Sequence, residues 1–254
     1  MAGLFLGVFL FFASVVLPLQ AQAPDLRDLR VTDASGPVTL KTADHPKQAA
    51  IINEETPLAE EDLIETGPTS SAELTMDGES VFKLQPGSRL RIKNLSRQTT
   101  RFELILGAML AKAKPATHLN EGVTIKMPTA VVVIRGTELS VETRAGISRV
   151  GVFEEGHVAV SGAWGHETVK LDPNQETKIT RTNVPEPPRK LDHFMKLKNQ
   201  MQHLRSRAAF WHNHWRPISD FKKQTIRLRL ADPHRPKSQG FYRPQERRPV
   251  RRDL

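Results

Sequence analysis

Residues 128–142 read PTAVVVIRGTELSVE, two apolar runs joined through Arg135-Gly136-Thr137. Val131 to Ile134 is a short β-branched run, and Leu139 and Val141 then alternate with Ser140 and Glu142, the period-2 pattern of a half-buried strand. Gly136 stands between the runs, where the missing Cβ allows a corner that few other residues tolerate. The stretch therefore predicts two strands meeting at a corner. Working outward, the same pattern recurs. Val38 and Leu40 follow the Ser35-Gly36-Pro37 turn, and Ala49 to Ile52 is a short apolar run. Ala72, Leu74 and Met76 alternate up to Asp77-Gly78, the dipeptide favoured in two-residue hairpins, with Phe82 and Leu84 on the return strand. Leu90 and Ile92, then Phe102 to Leu106 before Gly107, and Val123 to Met127 before Pro128 repeat it upstream. Downstream come Val150 and Val152, Val158 and Val160, Val169 and Leu171, and Thr177 to Thr180. Short strands with turn residues at such intervals define an all-β sandwich, barrel or solenoid, and no helix-period segment interrupts them to make a parallel βαβ sheet.

The 254 residues contain no Cys, which excludes disulfides, thiolate catalysis and Cys-based zinc sites. The formal net charge of +9 is unevenly placed: residues 189–254 carry 18 Lys and Arg against 5 Asp and Glu, a net +13, which leaves residues 1–188 at −4. Residues 1–23 read as a signal peptide: Ala2 to Leu19 is almost wholly apolar and runs into Ala21-Gln22-Ala23, with cleavage expected after Ala21 or Ala23. Retention as an uncleaved anchor is the alternative. Export to the periplasm or cell surface follows.

Several runs together resemble a known family. Leu63-Ile64-Glu65-Thr66-Gly67, the MDGESVFKL hairpin, MPTAVVVIRGTELSVE, RVGVFEEGHVAVSG and VKLDPNQETKI match the FecR domain of bacterial envelope proteins in order and spacing. Glu61-Asp62 stands where the family opens with Gly-Asp. The resemblance covers about residues 29–182 and carries Thr66, Gly67, Asp77, Gly78, Pro128, Arg135, Gly136, Thr137 and Gly156 as motif positions with structural roles. It implies an all-β domain of solenoid or sandwich form. In the family's best-known members such a domain receives a signal from an outer-membrane transporter and is tethered to a cytosolic sigma-factor regulator, a part this sequence lacks. It is similar instead to stand-alone exported members.

Residues 183–189 form a Pro-rich linker that should end the β domain, because successive prolines exclude helix and remove sheet donors. Over residues 190–216, Phe194, Leu197, Met201, Leu204, Ala208, Trp211 and Trp215 keep one helical stripe, so an amphipathic helix is expected. Its other face would carry Lys190, Lys196, Lys198, Arg205 and Arg207. Either the stripe docks on the β domain or on a second copy, or the cations and terminal tryptophans meet an anionic membrane surface, with Lys196, Lys198, Arg205, Arg207, Trp211 and Trp215 as the binding residues. Ile226, Leu228 and Leu230 alternate with Arg227 and Arg229 as in an edge strand, within a basic segment, 217–254, expected to be largely disordered.

No catalytic constellation stands out. Ser70, Ser71 and Ser161 lack a nucleophile elbow, the carboxylates at 60–62 and 154–155 fit solvated turns, and His212 and His214 fall on different sides of a helix with no third ligand. Arg135 is expected to be satisfied by Glu138 or Glu142. The sequence thus implies no enzyme activity, cofactor or metal. It implies an exported binding module whose partner is an envelope protein, or an anionic polymer or membrane surface met by the tail, with nucleic acid bound only through non-specific charge. The alternative is a periplasmic signal-sensing component acting through a separate membrane or regulatory partner.

Overall fold

The computed structural model describes residues 26–232 except 53, 116–121, 155, 157 and 166. Residues 1–25, which include the expected signal peptide, and residues 233–254 of the basic segment lie outside the described residues. In chain order the strands are β1 (Leu29–Ser35), β2 (Val38–Lys41), β3 (Ala50–Ile51), β4 (Thr56–Pro57), β5 (Leu63–Thr66), β6 (Ser71–Met76), β7 (Ser80–Leu84), β8 (Arg89–Asn94), β9 (Thr100–Lys112), β10 (Val123–Lys126), β11 (Ala130–Ile134), β12 (Glu138–Arg144), β13 (Ile147–Val152), β14 (Val158–Gly162), β15 (Thr168–Leu171), β16 (Gln175–Ile179) and β17 (Arg189–Lys190). Two α-helices follow, α1 (Lys198–His214) and α2 (Asp220–Ala231).

The strands form two sheets that share β9. In the first the order is β4, β1, β6, β7, β9, β12, β13, β16, β17. In the second it is β3, β2, β5, β8, β9, β10, β11, β14, β15. Pairing is antiparallel throughout except between β9 and β10. The chain passes repeatedly from one sheet to the other, so alternate residues of both sheets meet in one core that includes Leu29, Leu40, Leu74, Phe82, Phe102, Leu104, Val132, Val141 and Val160. The edge-on pair Phe82–Phe102, with ring centroids 5.1 Å apart, joins a strand of each sheet.

The opening stretch forms β11, a corner and β12. Gly136 has φ +85°, and a Cβ there would lie 2.2 Å from the Cα of Pro115, so the corner admits only glycine. The Asp77-Gly78 hairpin between β6 and β7 has positive φ at both residues, 54° and 72°, as its turn type requires.

Some expectations are corrected. Gly107 does not end its strand: at φ +93° the chain bends and continues as β9 into the other sheet. The Pro-rich segment does not stand clear of the β domain. Pro185 bridges Ile179, the Glu186 N–H donates to the Lys178 carbonyl, and the Thr177 hydroxyl donates to the Glu186 carbonyl, since an edge strand needs donors only at alternate positions. Residues 189–190 then form β17 rather than the start of a helix. The Glu176 carboxylate accepts the N–H groups of Asp192 and His193 and holds this segment out of helical form. A 3₁₀ turn at Met195–Leu197 leads into α1. Asp220–Ala231 is helical, neither strand nor disordered: Ser219 caps it through the Lys222 N–H, and Leu230 rests on the core.

Candidate functional site

The outer face of the first sheet holds unusually buried acids. Glu73 on β6, Glu138 on β12 and Glu176 on β16 are 1%, 1% and 2% exposed, although each occupies the outward position of its strand. Burying a carboxylate is unfavourable unless it is paired and hydrogen-bonded. Each has a cation directly opposite on a neighbouring strand: Lys83 at 3.2 Å from Glu73, Lys112 at 3.1 Å from Glu138 and Arg189 at 2.9 Å from Glu176. Glu142 likewise faces Arg149.

The chain beyond residue 190, the arm, closes over these acids. Its apolar stripe, Leu191, Phe194, Met201, Leu204 and Ala208, packs on Val81, Leu110 and Phe153, which point outward from the sheet. Its cations flank that stripe. Arg205 donates to Glu138 from Nε and Nη2, at 2.9 and 2.6 Å, and also reaches Glu154. Arg207 donates to Glu73 at 2.9 Å, with His203 at 3.1 Å from the same carboxylate, and His193 lies 2.5 Å from Glu142. Hydrogen bonds to Glu138 raise the pKa of Arg205 above its ordinary value.

Two further anchors fix the end of the arm. Trp215 lies over the hairpin, where a Cβ on Gly78 would fall 2.4 Å from the tryptophan Cβ, and the Arg30 guanidinium stacks on its ring at 4.1 Å. On α2, Arg227 makes a bidentate pair with Asp62 at 2.6 and 3.0 Å, and Asp62 also accepts the Ala59 N–H. Asp62 is fully buried. Burial works against the Arg227 charge, but the hydrogen bonds and charge of Asp62 outweigh it and raise its pKa.

This arrangement reassigns the expected binding residues. The stripe docks on the β domain. Arg205 and Arg207 face its acids rather than solvent, and Trp211 and Trp215 are half-buried. Lys196 and Lys198 are exposed, but from Asn199 to His214 the exposed positions of α1, among them Gln202, Ser206, Ala209 and Asn213, include no Lys or Arg. A helix lying on an anionic membrane would place its cations there. Arg135 is exposed, and Glu138 and Glu142 pair with the arm instead.

The motif residues are structural. Thr66 receives the Ser88 N–H and donates to the Gln85 carbonyl, and the Gly67 N–H donates to the Pro37 carbonyl. Asp77 accepts from the Asp28 N–H and from Arg27. Thr137 donates to the Glu154 carbonyl beside Gly156, and Pro128 is exposed in the turn before β11. The sequence reading missed Glu73, Glu176 and Arg227 as partners, offered Glu138 to Arg135 rather than to Arg205, and took Asp62 for a turn acid. Outward charges on strands look solvated in one dimension; the only signal was the opposed charge of the two regions. Among the described residues no group of His, Asp and Glu converges as a metal site would.

The family model described as FecR protein matches residues 62–159, so the chain carries a FecR domain. No curated protein sequence matches it. Two crystal structures of a "putative anti-sigma factor" from Parabacteroides distasonis ATCC 8503 are similar, each at 17% identity and a TM-score of 0.45 over 52% of this chain. The chain spans 61% of the length of each.

Proposed function

We propose that this protein is an exported, non-enzymatic regulatory component of a bacterial envelope that senses through the seating and release of its basic arm on the acidic face of its FecR domain. The matched pairing carries this reading: Glu73 and Glu138 each have one cation within the sheet and take a second from the arm, and Glu176, paired with Arg189, accepts two backbone N–H groups of the arm. Such a face is a receptor for a basic amphipathic helix, and a partner segment of the same chemistry would compete with α1 for it. The FecR match supports a regulatory role over catalysis. Export rests on the apolar run ending in Ala-Gln-Ala, with division into residues 1–23, a β domain at 29–182 and the arm. Strands alternating between two sheets around one core favour the sandwich over the solenoid. Any contact with an anionic polymer falls mainly to residues 233–254, since Arg205 and Arg207 of α1 are engaged by Glu138 and Glu73.

The absence of native Cys makes a direct test simple. Gln85 and Gln200 hydrogen-bond across the seam at 3.0 Å, so Gln85→Cys with Gln200→Cys, joined by a short bismaleimide in the exported protein, locks the arm down. Deletion of the gene should change a defined set of transcripts. Restoring the wild type should reverse the change, and the locked protein should fail to respond. A deletion without transcriptional effect would sink the regulatory reading, and full response from the locked protein would sink arm release.

A further inference from the structure

A cavity of about 590 Å³ opens at the seam between the start of α1 and the turns that follow β13 and β15. That volume falls among small-molecule sites, about 300–1,000 Å³. Its floor is apolar: Phe153, Leu191 and Met201 are nearly fully buried, and Met195, 40% exposed, overhangs the rim. Two cations, Lys198 and Arg205, line the same space.

Arg205 is the informative group. Glu138, buried and rigid, already holds its Nε and one Nη2 contact. Glu154, its second partner, is 52% exposed on a turn. An exposed ion pair of that kind contributes little and exchanges readily. The guanidinium is therefore fixed in place by one acid while its outer edge remains available to another anion. Methionines at the rim and floor adapt to apolar groups of varied shape.

We propose that this cavity binds a small amphiphilic anion, an acyl or aryl group bearing a single carboxylate or sulfonate. The charge replaces Glu154 on Arg205 and pairs with Lys198, while the apolar body covers Phe153, Met201 and Met195. Because both the arm and the β domain line the cavity, a ligand there bridges the seam and favours the seated arm.

Calorimetric titration of the full exported protein with decanoate below its micellar concentration, and separately with indole-3-acetate, tests this and tells acyl from aryl preference. At least one probe should bind one-to-one. Lys198→Glu should weaken it about tenfold or more, and Gln202→Trp, which fills the mouth from an exposed helix position, should abolish it. Both variants should melt as the wild type does, and uncharged decanol should bind at least about tenfold more weakly than decanoate. If neither acid saturates below about 1 mM, or if both variants bind as the wild type does, the site is refuted. Calorimetry on purified protein and transcription in cells are separate readouts, so the failure of this site and of the regulatory reading are distinguishable.

Discussion

The two sheets of the β domain carry similar charges outward but complete them differently. On the second sheet, Lys41 and Arg89 pair with Glu65 at 3.0 and 2.5 Å, Arg91 with Glu103 at 3.6 Å, and Lys93 with Glu61 at 2.6 Å. Each of these pairs is closed within the β domain and stays partly wet. On the first sheet, Glu73, Glu138, Glu142 and Glu176 have equivalent cross-strand cations, yet the arm adds a second layer that excludes water. The difference teaches that the cross-strand ladder is a property of the sheet, whereas the buried acids amount to a lock specific to one segment. Exposed pairs contribute about 0–1 kcal/mol, while removing one partner of a buried pair costs about 3–5 kcal/mol.

The sharpest way to break the contrast is at the corner that delivers Glu138 to the covered face. Gly136→Val should give no soluble folded protein, because a β-branched side chain would be forced into a positive-φ backbone against Pro115. Normal expression and a native circular dichroism spectrum would overturn this. Next, Asp62→Ala strips the partner from Arg227 and an acceptor from the Ala59 N–H, and should lower stability in urea by about 3 kcal/mol. Removing the two α1 cations together, Arg205→Ala with Arg207→Ala, leaves Lys83 on Glu73 and Lys112 on Glu138, so it should cost only about 2 kcal/mol and make the arm cleavable by protease. The matching pair on the open face, Arg89→Ala with Arg91→Ala, should cost under about 1 kcal/mol. Equal losses from the two double variants would erase the distinction between the faces.

The smallest expected effect concerns pH. Burial pushes the Glu65 pKa up, but hydrogen bonding and charge from Lys41 and Arg89 prevail, and it lies below its ordinary value of 4.5. A depressed folded-state pKa contributes stability above the unfolded value, and that contribution is lost as pH falls through the folded one. Glu65→Gln should therefore destabilise slightly at neutral pH. The gap from wild type should close as the pH falls below 4.5, which urea titrations at several pH values would show.

Much of the fold was legible because strand patterning is local. Val132 and Ile134 point inward while Val131 and Val133 are half-buried, and the Asp77-Gly78 turn has the dihedrals its residues demand. The misreadings also have local causes. Gly107 resembles a terminator, since a bend and an end look alike without the partner strand. Proline at 185, 187 and 188 suggested a free linker, although edge pairing tolerates it. The alternation of Ile226, Leu228 and Leu230 imitates a strand, and the anchoring of Arg227 on Asp62, 165 residues away, makes it a helix.

By itself the sequence determined an all-β domain with a FecR-type corner, a basic amphipathic segment behind it and the opposed charge of the two, because residue spacing and composition are fixed along the chain. Only the tertiary structure decided that the basic segment reads the domain's own acids. An outward carboxylate on a strand is solvated or buried according to what lies above it, and that depends on contacts between residues 51 to 165 positions apart.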